Sequence, residues 1–338
     1  MKVWIVSTPF HVLAASGYMG QNDCLFAEEA EFVDSAFFKK VMSQKHINNI
    51  RVIPGIRQMF RDHSRVKKKL QSLNGEVQRK ETICEVIYFN DADPVVQYMI
   101  NLNPNARHIL FEEGIGLYND MRHRHRIFKI LFGKLLFGSW YECVGRIGTY
   151  SCTDSIRCQN SAGLNSEQKK KEVCEVHYKD LYSGYLGCSV ENRSSCWFVG
   201  QALVEDGDCT VDEYFSCIKK CADLAERNGS RLMIKLHPRE RKEKFSACTF
   251  RDQFDIFDDM FIPFELLFSG RETAAVFSVS SSALLNLKDN PCVKAHYLFP
   301  LVRMKRKLSE KHFAVRGVRV LHDDYELESI ELRSLDRE

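Results

Sequence analysis

The sequence KVWIVSTPFHVL at residues 2–13 decides the fold class. Its first six residues form a short apolar run rich in β-branched side chains, which predicts a buried strand. A turn is expected at Thr8-Pro9 and a helix from about Phe10. This order of strand, turn and helix is how an α/β domain begins. Because Pro9 and His11 interrupt the apolar run, the segment predicts neither a signal peptide nor a membrane-spanning helix.

The same alternation of short apolar runs and longer amphipathic runs continues along the chain. Strands are predicted at Val3–Val6, Val52–Ile53, Val86–Phe89, His108–Phe111, Cys196–Val199, Leu232–Leu236 and Thr273–Ser278. Helices are predicted at Ser35–Gln44, Arg57–Leu73, Pro94–Ile100 and Val211–Asn228, the last closed by Gly229. The pattern indicates an α/β protein with two Rossmann-like domains facing each other across a cleft. The predicted boundaries are 1–155 for the first domain, 156–194 for a linker rich in Ser, Asn, Lys and Gly, and 195–338 for the second domain.

Composition narrows the class of protein. A length of 338 residues suits two domains, and 44% apolar with 28% charged residues is typical of globular chains. The formal net charge of +3 gives no general basis for binding nucleic acid. The 13 cysteines show no CxxC pair and no regular spacing, which favours reduced thiols and a cytoplasmic location.

Two adjacent carboxylates follow one of the predicted strands. Glu112 and Glu113 come directly after His108–Phe111, and Gly114 follows them. Side chains of neighbouring residues on an extended chain point to opposite sides, so one carboxylate is expected to face a ligand while the other braces the loop. A carboxylate that faces a ligand can accept a proton from an attacking hydroxyl. The motif therefore predicts a general base, with an acidic turn as the alternative.

Three further polar clusters lie at predicted strand ends: His237-Pro238, Ser280–Ser282 and Gly200-Gln201. An imidazole and serine hydroxyls are donors that suit a phosphate, and a glycine lets a phosphate approach the backbone. Ligands of open α/β sheets bind beyond the carboxyl ends of the strands. The clusters thus indicate an enzyme, although a structural histidine and an ordinary serine helix cap would produce the same local sequences.

A basic run precedes a very apolar one at residues 122–137, RHRHRIFKILFGKLLF. Basic residues beside an apolar helix are typical of segments that lie on an anionic membrane surface. The prediction is a peripheral contact with the inner membrane, and the alternative is a buried helix with a solvated entrance.

In this order and spacing, the motifs resemble those of bacterial sialyltransferases of glycosyltransferase family 52, to which polysialyltransferases are related. The resemblance rests on Thr8–Leu13, Glu112–Gly114, His237-Pro238 and Ser280–Ser282, with Gly200-Gln201 and Pro263–Glu265 as further landmarks.

The resemblance implies a GT-B fold and inverting transfer of sialic acid from CMP-sialic acid, without a cofactor or a metal. It implies Glu112 or Glu113 as the general base, with Glu112 favoured, and His237 as the group that contacts the CMP phosphate and assists its departure. The other implied donor-binding residues are Gly114, Gly200, Gln201, Pro238, Glu265, Ser280, Ser281 and Ser282. The first domain would then take the acceptor and the second the CMP-sugar.

The resemblance also implies an acceptor and an assembly. The acceptor is a terminal sugar hydroxyl, with galactose preferred, on a lipooligosaccharide, lipopolysaccharide or capsule glycan. A homodimer is favoured, and no nucleic acid partner is expected. Three alternatives remain open: a relative that uses a UDP-sugar such as UDP-glucose, a non-catalytic subunit of a capsule-assembly complex, and a nucleotide-sugar epimerase or hydrolase.

Overall fold

Two parallel sheets, each flanked by helices, organise the chain. The computed structural model describes residues 1–28, 31–118, 126–177, 196–268, 274–287, 290, 292–305, 318–330 and 332. The chain divides into unit 1, residues 1–181, and unit 2, residues 182–338. Each unit is an α/β domain, as the alternation of apolar and amphipathic runs predicts.

Unit 1 contains a seven-stranded parallel sheet in the order β3-β2-β1-β4-β5-β6-β7. Its strands are β1 Lys2–Val6, β2 Cys24–Glu28, β3 Ile50–Ile53, β4 Glu85–Tyr88, β5 Arg107–Phe111, β6 Ser155–Cys158 and β7 Glu172–Glu175. Its helices are α1 Pro9–Tyr18, α2 Ala36–Gln44, α3 Ile56–Arg61, α4 His63–Gln78, α5 Pro94–Asn101 and α6 Arg126–Phe137. The chain reverses its direction of strand addition between β1 and β4, which places the topological switch point of the sheet there.

Unit 2 repeats this topology with a six-stranded parallel sheet in the order β10-β9-β8-β11-β12-β13. Its strands are β8 Cys196–Val199, β9 Leu232–Lys235, β10 Phe254–Phe257, β11 Ala274–Ser278, β12 Val293–Tyr297 and β13 Arg319–Val320. Its helices are α7 Val211–Arg227, α8 Ala283–Asn286 and α9 Asp324–Glu328. The switch point of this sheet lies between β8 and β11.

The central strands are buried on both faces, which explains their continuous apolar runs. In β1 the residues Val3 and Val6 are fully buried, and Phe198 in β8 is also fully buried. Helices cover both faces of such a sheet, so neither side can be polar. The strand order and this burial bring the carboxyl ends of β1, β2, β4 and β5 to one edge of unit 1, and those of β8, β9 and β11 to one edge of unit 2.

Local capping sets where several helices begin. The Thr8 side chain accepts the His11 N–H at the start of α1, and Pro9 occupies the first turn. Thr210 and Glu213 form a capping box at the start of α7. At its other end α7 stops at Arg227, and Gly229 follows with a φ of 69°. This left-handed conformation is the reason that a glycine closes the helix, as predicted.

Two sequence predictions need correction. The helix predicted over residues 57–73 is two helices, α3 and α4, because Asp62 leaves helical geometry and its side chain caps α4 through the Arg65 N–H. The linker predicted over residues 156–194 is wrong in its first part, because β6 and β7 lie there and pair with the sheet of unit 1. The rest of that segment, residues 178–195, lies outside the described residues.

The cysteines in the described ranges are all free thiols. Within the same ranges, no helix is both long enough and apolar enough to cross a bilayer.

Candidate active site

A histidine and a glutamate meet at the carboxyl edge of the unit 1 sheet. His11 lies in the first turns of α1, just beyond β1, and its ring stacks on Phe89 at 4.1 Å between centroids. The His11 Nε2 atom lies 3.2 Å from Glu113 Oε1, an ion-pair distance without the alignment of a hydrogen bond. The histidine side chain is 2% exposed and the glutamate side chain 38% exposed. The Glu113 carboxylate is therefore accessible to solvent, and the buried His11 ring lies against it.

The neighbours of His11 fix its tautomer. The Ser7 N–H donates to His11 Nδ1 at 3.2 Å, so this nitrogen is an acceptor. In the neutral ring the proton must then be on Nε2, the atom that faces Glu113. The Nε2–H therefore faces the Glu113 carboxylate at the 3.2 Å ion-pair distance, without the alignment of a hydrogen bond.

Glu112 has the opposite role. Its side chain is buried, and its Oε2 accepts hydrogen bonds from Tyr118 Oη at 2.5 Å and from the Gln159 N–H at 2.7 Å. It ties the end of β5 to the following turn and to the end of β6. As expected, one carboxylate braces the loop while the other is accessible: the buried one is Glu112 and the accessible one is Glu113. Which of the two acts as the base stays a prediction. Gly114, with a φ of 138°, makes the turn that separates them from the following residues.

Two more carboxyl groups lie near Glu113. Glu28 ends β2 and Asp93 precedes α5, and both are buried. Burial, followed by the charges of Asp93 and Glu113, raises the pKa of Glu28 to about 9. Burial also raises the pKa of Asp93 to about 6, although hydrogen bonds from the Val95 and Val96 N–H groups oppose this. At neutral pH Glu28 is protonated, which limits the negative charge near Glu113.

In unit 2, His237 begins a tight loop after β9. Its N–H donates to Glu240 Oε2 at 2.8 Å, and the Glu240 N–H donates back to the His237 carbonyl at 2.9 Å. The Arg239 N–H donates to His237 Nδ1 at 3.1 Å, so the neutral ring carries its proton on Nε2. Pro238 restricts the backbone between these contacts. The neutral ring therefore has a single N–H, on Nε2.

Glu240 anchors this loop within unit 2. It is 4% exposed, and its Oε1 accepts a hydrogen bond from Tyr214 Oη at 2.9 Å and pairs with Lys244 Nζ at 3.0 Å. Gly200 packs so closely that a Cβ there would lie 2.1 Å from Glu240 Oε2. The glycine at the end of β8 is thus needed for the carboxylate that holds His237, rather than only for a ligand.

Gln201 connects the serine run to the same network. Its Oε1 accepts the Ser280 N–H at 2.7 Å, its Nε2 donates to Ser280 Oγ at 3.1 Å, and its own N–H donates to Tyr214 Oη at 3.0 Å. Hydrogen bonds therefore run from Ser280 through Gln201, Tyr214 and Glu240 to His237. This chain joins the ends of β8, β9 and β11 in one rigid arrangement.

The serine run divides into a buried and an accessible part. Ser280 is 6% exposed, whereas Ser281 and Ser282 are half-buried. Ser281 Oγ accepts the Ala283 N–H at 3.3 Å, and Ser282 makes no side-chain cap to α8. Because α8 is only one turn long, the expected helix N-terminal anion site reduces to these hydroxyls and nearby N–H groups.

Glu265 lies inside unit 2. It is 6% exposed and its Oε1 accepts a hydrogen bond from Asn286 Nδ2 at 2.7 Å. Burial raises its pKa, and burial lowers the pKa of the neighbouring Lys235 to about 8. Lys235 donates to the Met260 carbonyl at 2.8 Å. Glu265 links α8 to the preceding turn, and its donor-binding role stays a prediction.

Sequence reasoning missed several of these residues. His11 lies within Thr8–Leu13, but the sequence predicts no role for it, and it predicts none for Glu28, Asp93, Tyr214 and Glu240. The spacing His237-Pro-Arg-Glu240 indicates such a loop, since an acid three residues after a strand-end histidine can accept its N–H. Across the described ranges, no group of three or more His, Cys, Asp or Glu side chains is arranged to hold a metal ion.

Comparisons with known proteins agree with this architecture. The sequence matches the family model of alpha-2,8-polysialyltransferases over residues 2–298. No curated protein sequence matches the chain.

Solved structures share the fold at low identity. The UDP-GlcNAc 2-epimerase of Methanocaldococcus jannaschii, in complex with UDP-GlcNAc and UDP, has a TM-score of 0.57 at 13% identity, covering 97% of this chain and 91% of that chain. Os79 of O. sativa, in complex with UDP and deoxynivalenol-3-glucoside, has a TM-score of 0.53 at 12% identity, covering 97% and 89%. A sialyltransferase GT-B domain of Photobacterium damselae has a TM-score of 0.49 at 11% identity, covering 97% and 95%. The epimerase and Os79 thus share the fold of this chain, which is of the GT-B type with two Rossmann-like domains.

The family match extends from the first strand of unit 1 to just beyond β12 of unit 2. It includes every motif on which the resemblance to sialyltransferases rests. The chain therefore belongs to the alpha-2,8-polysialyltransferase family, a family of sialyl-transferring glycosyltransferases.

Proposed function

We propose that the chain transfers sialic acid from CMP-sialic acid to a glycan hydroxyl, with inversion at the anomeric carbon. Family membership supports sialyl transfer. The observation that carries the assignment of residues is the hydrogen-bond chain from Ser280 to His237, which holds several donors at the carboxyl edge of the unit 2 sheet. A set of fixed donors suits one departing phosphate better than it suits a neutral ligand.

Unit 2 is assigned to the donor phosphate. The His237 Nε2–H, fixed by the contact at Nδ1, donates to a phosphate oxygen as the bond between the anomeric carbon and the phosphate oxygen breaks. The Ser281 and Ser282 hydroxyls add neutral donors. Because CMP leaves as a monophosphate ester, these groups can stabilise its developing charge without a divalent ion.

Unit 1 is assigned to the acceptor. The acceptor oxygen attacks the anomeric carbon from the face opposite CMP, and its proton passes to the Glu113 carboxylate. His11, whose Nε2 lies 3.2 Å from that carboxylate, is a positioning residue that acts on it through charge and packing. Glu28 is protonated and therefore adds no negative charge beside Glu113. A second full negative charge there would raise the pKa of Glu113 and keep it from acting as a base of moderate pKa.

The acceptor is a sugar hydroxyl on a bacterial surface glycan. The sequence resemblance favours a terminal galactose, and the family description names alpha-2,8 linkages, which makes a terminal sialic acid the second acceptor to test. A cytoplasmic location and a homodimer complete the proposal.

Titration calorimetry with CMP and with UDP tests the donor. The proposal expects CMP to bind and expects His237→Ala to weaken that binding, with Arg227→Ala at the exposed end of α7 as a matched control. Binding of UDP without CMP would favour a UDP-sugar enzyme.

Mass spectrometry of products tests the reaction. CMP-sialic acid is supplied with galactose-terminated and with sialic acid-terminated acceptors, in the presence and absence of EDTA. The proposal expects a sialylated product and equal rates with EDTA. Release of sialic acid without acceptor would indicate a hydrolase, and no turnover with either acceptor would indicate a non-catalytic subunit.

A further inference from the structure

Helix α6 carries an unusual exposed face. Five of its large apolar side chains are exposed: Ile127 at 76%, Phe128 at 69%, Leu131 at 65%, Phe132 at 51% and Leu135 at 85%. At 3.6 residues per turn they fall within one arc of about 140°. Among the residues that the structure describes, no other helix exposes so many apolar side chains on one face.

The opposite face of α6 is fixed to unit 1. A Cβ at Gly133 would lie 2.1 Å from Tyr141 Cε1, so only a glycine permits this close approach. The Phe137 ring packs on Tyr141 at 5.0 Å and on Phe60 at 5.2 Å between centroids. Lys67 Nζ donates to the Phe137 carbonyl at 2.6 Å. The helix is therefore anchored to unit 1 by the face that contains Gly133 and Phe137, and the apolar arc points away from the core. The buried-helix interpretation of this segment is wrong.

The charged side chains of α6 that the structure describes are both positive. Lys129 and Lys134 flank the apolar arc on its two sides and are exposed. Over residues 122–137 the sequence contains five Arg or Lys residues and no Asp or Glu. A helix with an outward apolar face between cations is the pattern of a segment that lies in the interface of an anionic bilayer.

We propose that α6 docks the chain on an anionic lipid surface. With 12 residues the helix is about 18 Å long, too short to cross a hydrocarbon core of about 30 Å, so it lies in the plane of the interface. A protein partner fits less well, because interfaces between proteins use about one hydrogen bond per 100–200 Å² and these five side chains offer none. A second copy of the chain would bring its own cations against Lys129 and Lys134.

Vesicle sedimentation tests the proposal. The full chain is mixed with phosphatidylcholine vesicles that contain or lack phosphatidylglycerol. We expect the parent to bind the anionic vesicles. The double variant Leu131→Gln/Leu135→Gln should lose roughly tenfold or more in vesicle affinity. For Lys129→Gln/Lys134→Gln, the vesicle affinity should depend less on salt concentration. The control is Tyr325→Ser, which removes an equally exposed apolar side chain, 80% exposed, from unit 2.

Exposed positions tolerate these changes, so the variants should unfold at the same urea concentration as the parent and keep full activity on a soluble acceptor. Binding of Leu131→Gln/Leu135→Gln that equals the parent, or no preference for anionic vesicles, would overturn the proposal. Light scattering without vesicles gives a further test. An oligomer of the parent that Leu131→Gln/Leu135→Gln converts to a monomer would also overturn the proposal, because the apolar face would then be a contact between copies.

Discussion

Replacing Gly200 with alanine should release His237 from its anchor. The new Cβ would lie 2.1 Å from Glu240 Oε2 and 3.1 Å from the Lys235 carbonyl oxygen. Real Cβ atoms do not approach so closely, so the carboxylate must move. It then loses the His237 N–H, the Tyr214 hydroxyl or both. Hydrogen bonds to a charged group contribute about 1.5–3 kcal/mol each, so the loss of one or both lowers the free energy of unfolding of unit 2 by about 1.5–6 kcal/mol.

Urea unfolding measures this loss. In a background of Trp4→Phe and Trp140→Phe, the remaining Trp197 is 1% exposed and lies in the central strand of unit 2, so its fluorescence follows that unit. Gly207→Ala is the matched control. No atom lies within 4 Å of its Cβ, and its φ of 71° limits the cost to about 1–2 kcal/mol of backbone strain.

A double-mutant cycle tests whether the loss of stability comes from the clash between the new Cβ and the Glu240 carboxylate. In a Glu240→Ala background there is no carboxylate to displace, so Gly200→Ala should cost little more. CMP affinity should fall in Gly200→Ala and stay near that of the parent in Gly207→Ala. Equal destabilisation by Gly200→Ala with and without Glu240 would refute the reasoning.

Three other changes test the stability and chemistry of the two sites. Glu28→Gln should flatten the pH dependence of unfolding of unit 1: the folded pKa of about 9 lies above the unfolded value of 4.5, so the stability of the parent falls as pH rises between them. An unchanged slope in urea titrations would contradict this. Asp91→Ala should cost about 3 kcal/mol or more, because Gly148, Tyr150 and Thr153 lose a buried acceptor; a loss below about 1 kcal/mol would count against it. His237→Ala should lower turnover by about 10² or more and weaken CMP binding in calorimetry, and unchanged CMP affinity would remove its assigned role.

The sequence predicts the most central strands of both sheets well, namely β1, β4, β5, β8, β9 and β11. It misses the interior strands β2, β6 and β12 and the edge strands β7, β10 and β13. Val3–Val6 and Cys196–Val199 are continuous apolar runs because helices cover both faces of the sheet. The edge strand β7 has the sequence Glu-Val-Cys-Glu and follows a lysine run. Its sequence is therefore typical of a linker, although the strand pairs with β6. The strand β10 carries Asp255, whose partner Arg231 directly precedes the neighbouring strand β9. Edge strands are defined by such tertiary contacts rather than by local apolarity.

The site shows the same limit. The strand ends predict that Glu112, Glu113, His237 and the serine run lie at carboxyl edges, because parallel strands fix that geometry. Which of the two carboxylates faces outward depends on the Tyr118 hydroxyl and the Gln159 N–H, and Gln159 lies beyond the next strand along the chain. No local pattern contains that contact, so the residues alone could not decide between the two.

The most direct test of the account is the turnover of CMP-sialic acid by Glu113→Gln, with Glu112→Gln as its partner variant. We expect Glu113→Gln to lower kcat by about 10²–10⁴ while CMP affinity and stability stay unchanged, because only the proton acceptor is lost. We expect Glu112→Gln to keep its turnover within about tenfold and to unfold at lower urea, because a buried carboxylate with two strong donors is replaced. The reverse result, with Glu112→Gln inactive and Glu113→Gln active, would contradict the assignment of the base.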